Sequence, residues 1–179
     1  MPDRETTEQR NSEKTGEVDD PVHRVSYSFQ ADGANLWVFS WMKPGAHLPE
    51  HFHPSYEEHW EALDGAVRVK LDGKWRDLRP EDGPVLVAPN VRHELKNESG
   101  QEVRLRTEVR QAGRLEEFLR ETARAAQEGL YNARNMPTSL RGVLWAAKLA
   151  HSFRDDTVMT FPPVAMQRVL VPVIAPLAR

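Results

Sequence analysis

Gly45-Ala-His-Leu-Pro-Glu-His-Phe-His-Pro-Ser-Tyr-Glu-Glu-His-Trp-Glu-Ala-Leu-Asp-Gly65 is the stretch on which the reading of this chain turns. His51 and His53 are separated by one residue. Side chains on an extended strand alternate between faces, so both imidazoles project the same way and form a two-toothed nitrogen clamp. Between His53 and Glu58 the residues Pro54-Ser55-Tyr56-Glu57 suit a turn that returns a carboxylate toward the clamp. Further on, His93 lies inside Ala88-Pro-Asn-Val-Arg-His-Glu-Leu-Lys-Asn97.

Three imidazoles and one carboxylate make a mixed nitrogen and oxygen ligand set. It suits one divalent transition metal, with Fe, Mn or Ni preferred and Zn, Co or Cu also compatible, and the chain has no cysteine to compete. Four protein ligands leave positions open on an ion that accepts more, for water, substrate or dioxygen.

In these spacings the chain resembles the cupins. Gly45, His51, His53, Glu58 and Gly65 fill the fixed places of that family's first motif, and His93 and Asn97 those of its second. Ala88 stands where the second motif usually has Pro, and Asn90 where it has Gly. Asn enters the left-handed backbone region more readily than other non-glycine residues, and neither change touches a ligand. The match runs from about residue 22 to residue 110. It implies a mainly β chain, a double-stranded β-helix or jelly-roll barrel, followed here by C-terminal α-helices. The cupin resemblance also implies a range of chemistries: dioxygenases and oxidases, isomerases, cyclases, lyases and decarboxylases, and members that only bind.

Composition narrows the classes. With 24 basic and 27 acidic residues the net charge is -3, which offers no field for a polyanion, so nucleic acid is not an expected partner. The absence of cysteine excludes disulfides and thiolate metal sites and suits the cytoplasm. The first residues carry no apolar run of the signal-peptide kind. Val169 to Ala178 is too short to span a bilayer and holds Pro172 and Pro176, so no membrane segment is expected.

Residues 1–20 are rich in Asp and Glu with little to bury, which predicts a disordered or loosely docked acidic tail. Residues 21–112 read as the barrel. Val25, Tyr27 and Phe29 alternate with polar neighbours; Leu36 to Met42 is apolar on both faces, with Trp37, Phe39 and Trp41 on one and Leu36, Val38, Ser40 and Met42 on the other. Asp72-Gly73 is the strongest hairpin signal, between Val67–Leu71 and Trp75–Leu78. His93, Leu95 and Asn97 share a face, with Asn97 read as a hydrogen-bonding residue of the strand end. Residues 113–179 change to a helical period: Leu115, Phe118, Leu119, Ala123, Ala126 and Leu130 mark one helix, and Leu140, Val143, Leu144 and Ala147 a second capped by Ser139. Val164 to Leu177 is helical in its first part. This extension is expected to cover the barrel or a partner's, and a homodimer is expected.

Around the ligands, Glu57 is a candidate catalytic base, or the ligand itself if the motif is read one residue shorter; Glu58 keeps the family spacing to Gly65. Tyr56 is a candidate proton donor. Trp60 shares the ligand face and is a candidate wall of the substrate pocket, and His47 shares extended parity with His51 and is placed at its mouth. The expected function is a metal-dependent dioxygenase or oxidase acting on a small aromatic or enolisable molecule. A non-redox isomerase, cyclase or lyase using Tyr56 and Glu57 is the alternative, and a binding protein without turnover the third.

Overall fold

The computed structural model describes residues 18–177. Strands form where apolar and polar residues alternate: β1 (Val18–Asp20), β2 (Val25–Asp32), β3 (Asn35–Met42), β4 (His47–Phe52), β5 (Glu57–Asp64), β6 (Val67–Leu71), β7 (Lys74–Leu78), β8 (Val85–Val87), β9 (His93–Lys96) and β10 (Val103–Arg110). Helices α1 (Leu115–Gln127), α2 (Leu140–Ser152) and α3 (Val164–Ile174) follow, with a short β11 (Val158–Met159) before α3. One sheet runs β1-β2-β3-β10-β5-β8 and the other β11-β4-β9-β6-β7, with every pairing antiparallel. Their inner faces close over Val25, Met42, Val67, Val69, Leu95, Val103, Leu105 and Val109. This is the double-stranded β-helix.

Register settles which face looks inward. Leu36, Val38, Ser40 and Met42 of β3 point into the barrel, while Trp37 lies outside under the Arg106 guanidinium, 5.2 Å from the ring centroid. The β6–β7 hairpin turns through Asp72 (φ 46°) and Gly73 (φ 80°), both left-handed, as the right-handed twist of two-residue hairpins demands. Asn90 sits at φ 65°, the conformation its motif position needs, and its amide donates to the His53 carbonyl at 2.8 Å. Asn97 spans the strand end by donating to the Met42 and Gln101 carbonyls at 2.8 and 2.7 Å.

The acidic tail expected over residues 1–20 is corrected at its end: Val18–Asp20 pair with β2. Counting charges missed how completely Asp20 is solvated by the protein. Its Oδ1 accepts from the Val22 and His23 amides, and its Oδ2 lies 2.7 Å from His23 Nδ1 and accepts from the Tyr131 hydroxyl. A buried carboxylate so bonded is tolerable where a bare one would not be. Residues 1–17 lie outside the described residues.

The helical extension divides its apolar surface. Leu115, Phe118 and Leu119 of α1 pack on the barrel core, and Ala125, Ala126, Leu130 and Tyr131 form a second cluster with Val22 and Trp145. Ser139 caps α2 by accepting from the Gly142 amide at 3.1 Å. The apolar face expected on α2 is only partly used: Ala147 is buried, but Leu140 is 76% and Val143 39% exposed. No residue of α3 is buried. Among the described residues no helix is long and apolar enough to cross a membrane.

Candidate metal centre

β4, β5 and β9 bring the ligand candidates together. Leu48 pairs with Leu95 and His51 with His93, so Pro49 and Glu50 on β4 stand against Glu94 alone on β9. This bulge re-aims the strand. Leu48 and His51 therefore both face the interior, and His53 follows His51 by ordinary alternation.

The bulge also corrects His47. Strict parity placed it at the mouth of the site, but the extra residue turns it outward, where Nε2 lies 2.8 Å from Glu94 Oε1. Glu94 there also meets Lys96 at 3.1 Å and Lys70 at 3.5 Å.

Within the barrel, His51, His53 and His93 present ring nitrogens that all lie within 4.8 Å of one another. Each ring is oriented from behind. His51 Nδ1–H donates to the Pro49 carbonyl at 2.8 Å, His53 Nδ1–H to Asp156 at 3.0 Å and His93 Nδ1–H to Val91 at 2.9 Å. Carbonyls only accept, so these bonds place a proton on Nδ1 and make Nε2 the lone-pair nitrogen of each ring in its neutral form. His51 Nε2 and His93 Nε2 face each other at 3.0 Å. His53 Nε2 is buried without a hydrogen-bond partner.

Glu58 lies beside the triad, with Oε1 3.4 Å from His53 Nε2 and Oε2 3.7 Å from His93 Nε2. Burial pushes the His51 and His93 imidazoles below their ordinary range, and the charge of neighbouring rings adds to this. Burial would raise Glu58, but the His53 imidazole and then those of His93 and His51, when they carry a second proton, outweigh it and hold the carboxyl below the usual range. Converging lone pairs and a carboxylate repel one another unless a cation lies among them. Two imidazole nitrogens bound side by side to one ion at about 2.1 Å would stand about 3 Å apart, so the residues fit a metal.

Glu57 and Glu58 are separated by the strand's own alternation. Glu57 points out, accepts from His59 and Arg110, and is held ionised first by the His59 hydrogen bond. It is neither the ligand nor a base beside one, which corrects that expectation. Trp60 lines the cavity: its Nε1–H donates to Glu58 Oε2 at 2.9 Å, and its ring stands edge-on to His93 at 5.1 Å.

Tyr56 is also corrected. Its ring stacks on His53 at 4.4 Å and its hydroxyl lies 3.2 Å from Thr157 Oγ1, so it lies behind the ligand instead of lining the cavity. Burial raises the phenol well above its ordinary range, with the Glu58 charge adding to it.

Support for His53 comes from a part of the chain that local spacing does not connect to it. Besides the Asp156 carbonyl, Thr157 Oγ1 stands 3.3 Å from His53 Nδ1. β11 then pairs Val158 with Phe52 and Met159 with His51. Asp156 is itself held by the Arg114 amide at 2.9 Å, beside Gly113 (φ 54°), where a Cβ would collide with the carboxylate. Outer hydrogen bonds of this kind fix ring orientation and raise ligand basicity.

The cavity before the ligands holds about 70 Å³ and is lined by Tyr27, Val38, Ser40, Leu48, Leu95, Leu105 and Thr107 from the strands. Leu115, Phe118 and Leu119 of α1 line it as well, which makes the extension part of the site. None of these was a site candidate on sequence. The parity of Tyr27 and Ser40 was legible, but only closure of the sheet shows that they face the ligands.

Residues 38–109 match the family model of the Cupin domain, and this part of the chain is a cupin. Among curated proteins, the polyketide synthase CurC of Streptomyces cyaneus is 34% identical over 64 residues, 36% of this chain and 41% of that protein. An oxidoreductase of Arthrobotrys oligospora is 36% identical over 59 residues, 33% of this chain and 23% of that protein. The chain thus spans less than half the length of these relatives. A solved Klebsiella pneumoniae protein with a double-stranded β-helix domain aligns at 17% identity and TM-score 0.47, over 54% of this chain and 84% of that one.

The buried rings set a pH dependence for the metal-free protein. His51 and His93 bind protons less readily folded than at their ordinary value of 6.5, so the unfolded state gains protons first and stability falls as pH drops below that value. Glu58, lowered from 4.5, adds stability above that value that is lost as pH falls through its folded range. After chelation, the melting temperature should fall between pH 7 and 5, and less steeply in a His51→Ala/His93→Ala variant. Equal slopes in the two proteins would contradict the assigned burial of these rings.

Proposed function

We propose that the chain is a metal-dependent cupin enzyme that oxidises a small organic molecule with dioxygen, using His51, His53, Glu58 and His93 as ligands. The observation that carries this reading is the convergence of the three Nε2 atoms on one another, with Glu58 beside those of His53 and His93 and every Nδ1 committed to a carbonyl. A divalent ion held there supplies Lewis acidity and, as Fe, Mn or Ni, electron exchange with dioxygen. With one carboxylate and three neutral rings the centre keeps about one positive charge, suited to an enolate or phenolate oxygen. Trp60 aims Glu58, while Leu48, Leu95, Phe118 and Leu119 exclude water from the substrate's side. The oxidoreductase name of the Arthrobotrys relative supports the redox reading.

A non-redox isomerase, cyclase or lyase is the second reading. It is favoured by Tyr27, whose phenol lines the cavity and, kept protonated chiefly by burial and further by the Asp20 charge, offers a hydrogen bond to a substrate oxygen. Metal analysis of untagged protein, with an oxygen-uptake screen on catechols and 1,3-diketones, separates the two. The first reading predicts stoichiometric Fe, Mn or Ni, and product formation that stops without oxygen and in His51→Ala/His93→Ala. Turnover that continues anaerobically with Zn bound would replace it with the second.

A second copy of the chain is the proposed partner of α3, which exposes Val169, Leu170 and Val173 and carries one charged residue, Arg168. Light scattering after gel filtration should give twice the 20.5 kDa chain mass, falling to the single mass in Val169→Glu/Val173→Glu. A monomeric wild-type protein would refute the pairing.

A further inference from the structure

Three hydroxyl groups on one wall of the cavity have no use in the metal site. Tyr27 on β2, Ser40 on β3 and Thr107 on β10 are buried and line the space before the ligands. Register places them on adjacent strands: Tyr27 pairs with Ser40, and Thr107, which pairs with Val38 on one side and Trp60 on the other, lies diagonal to Ser40, whose own partner on β10 is Leu105. The wall therefore runs across the sheet from the Trp60 and Glu58 side to Tyr27.

None of these hydroxyls makes a hydrogen bond to another described residue. The other polar side chains of the cavity are engaged: Glu58 by Trp60, Thr157 by Tyr56, and the Nδ1 atoms of His51, His53 and His93 by carbonyls. Among the described residues His53 Nε2 is the one sealed side-chain atom without a partner, so these hydroxyl oxygens reach the cavity space and bond to whatever fills it, water or a ligand. A group of them opening onto one cavity is the arrangement expected where a ligand supplies the partner.

The chemistry of that partner is narrowed by charge. No Lys or Arg lines the cavity, so nothing on this wall would neutralise a carboxylate or phosphate, and burying one there would be costly. Hydroxyls donate and accept, so they serve either a hydroxyl or a carbonyl oxygen. Around the hydroxyls, Val38, Leu48, Leu95 and Leu105 offer only apolar surface.

We propose that Tyr27, Ser40 and Thr107 form a subsite for an uncharged oxygen function of the substrate, which is an alcohol, phenol or ketone with an apolar body. This deepens the enzyme reading above and rests on the same cavity. The substrate spans the space, with one oxygen toward the ligand cluster and a second on the hydroxyl wall. The enclosed volume of about 70 Å³ is near half of the roughly 150 Å³ that holds a benzene ring, so a ring enters only as Phe118 and Leu119 of α1 give way. Those two side chains set the upper size of the substrate.

Fluorine NMR titration with 4-fluorophenol and fluorobenzene tests the subsite, because the two probes differ only in the hydroxyl. It is run on the protein as purified and on Phe118→Ala, which opens the space. We expect 4-fluorophenol to bind more tightly than fluorobenzene, and Tyr27→Phe to weaken it about 3- to 10-fold while leaving fluorobenzene unchanged. Ser40→Ala should give a smaller loss of the same kind. An unchanged preference in Tyr27→Phe, or binding of neither probe to either protein, overturns the subsite. Metal content measured on the same samples keeps the two readings apart. Tyr27-dependent preference in protein that holds no metal retains the subsite and removes the metal enzyme, whereas metal without that preference does the reverse.

Discussion

Two imidazole nitrogens face each other at 3.0 Å with no proton to share, and the rest of the structure is arranged to keep them so. Neutral rings in this position repel, and a third ring and a carboxylate beside them make the repulsion worse. The fold holds the arrangement because each ring is tied from behind to a backbone carbonyl that only accepts. Fixing the Nδ1 proton fixes the Nε2 lone pair. A cation placed among them would relieve that repulsion, and the orientation fixed by the protein would then favour its binding.

This constraint explains features that otherwise look unrelated. The β4 bulge turns Leu48 and His51 to the same side, and Trp60 spends its N–H on Glu58. The extension reaches back from Asp156 to hold His53, adds β11 to the edge of β4, and lays α1 across the cavity. A barrel ending at the last strand of the large sheet would lack the carbonyl behind His53 and the apolar cover in front of it. The helical extension is thus part of the site it covers.

The fold and the meeting of His51, His53 and His93 were legible because both are written in local spacing. Alternation marks the strands, Asp72-Gly73 marks the hairpin, and His51, His53 and Glu58 fall within one strand–turn–strand unit. What misled was also local. Pro49 sits in a bulge, so parity carried His47 to the wrong side. Glu57 and Tyr56 adjoin ligands in sequence, yet alternation turns one outward and stacking puts the other behind His53. Tyr27, Thr107, Phe118 and Thr157 went unnoticed because their proximity to the ligands depends on sheet closure and helix docking, which no spacing records. Asp20 reads as one more tail acid until its four donors are assembled from Val22, His23 and Tyr131.

The most direct test of the metal centre is X-ray absorption spectroscopy on the metal-loaded protein, paired with a Glu58→Gln variant. The account predicts a mononuclear site with three imidazole nitrogens and an oxygen shell at about 2.0–2.2 Å, weakened in the variant. A first shell without imidazole, or one unchanged when His51 and His93 are replaced by alanine, would contradict it.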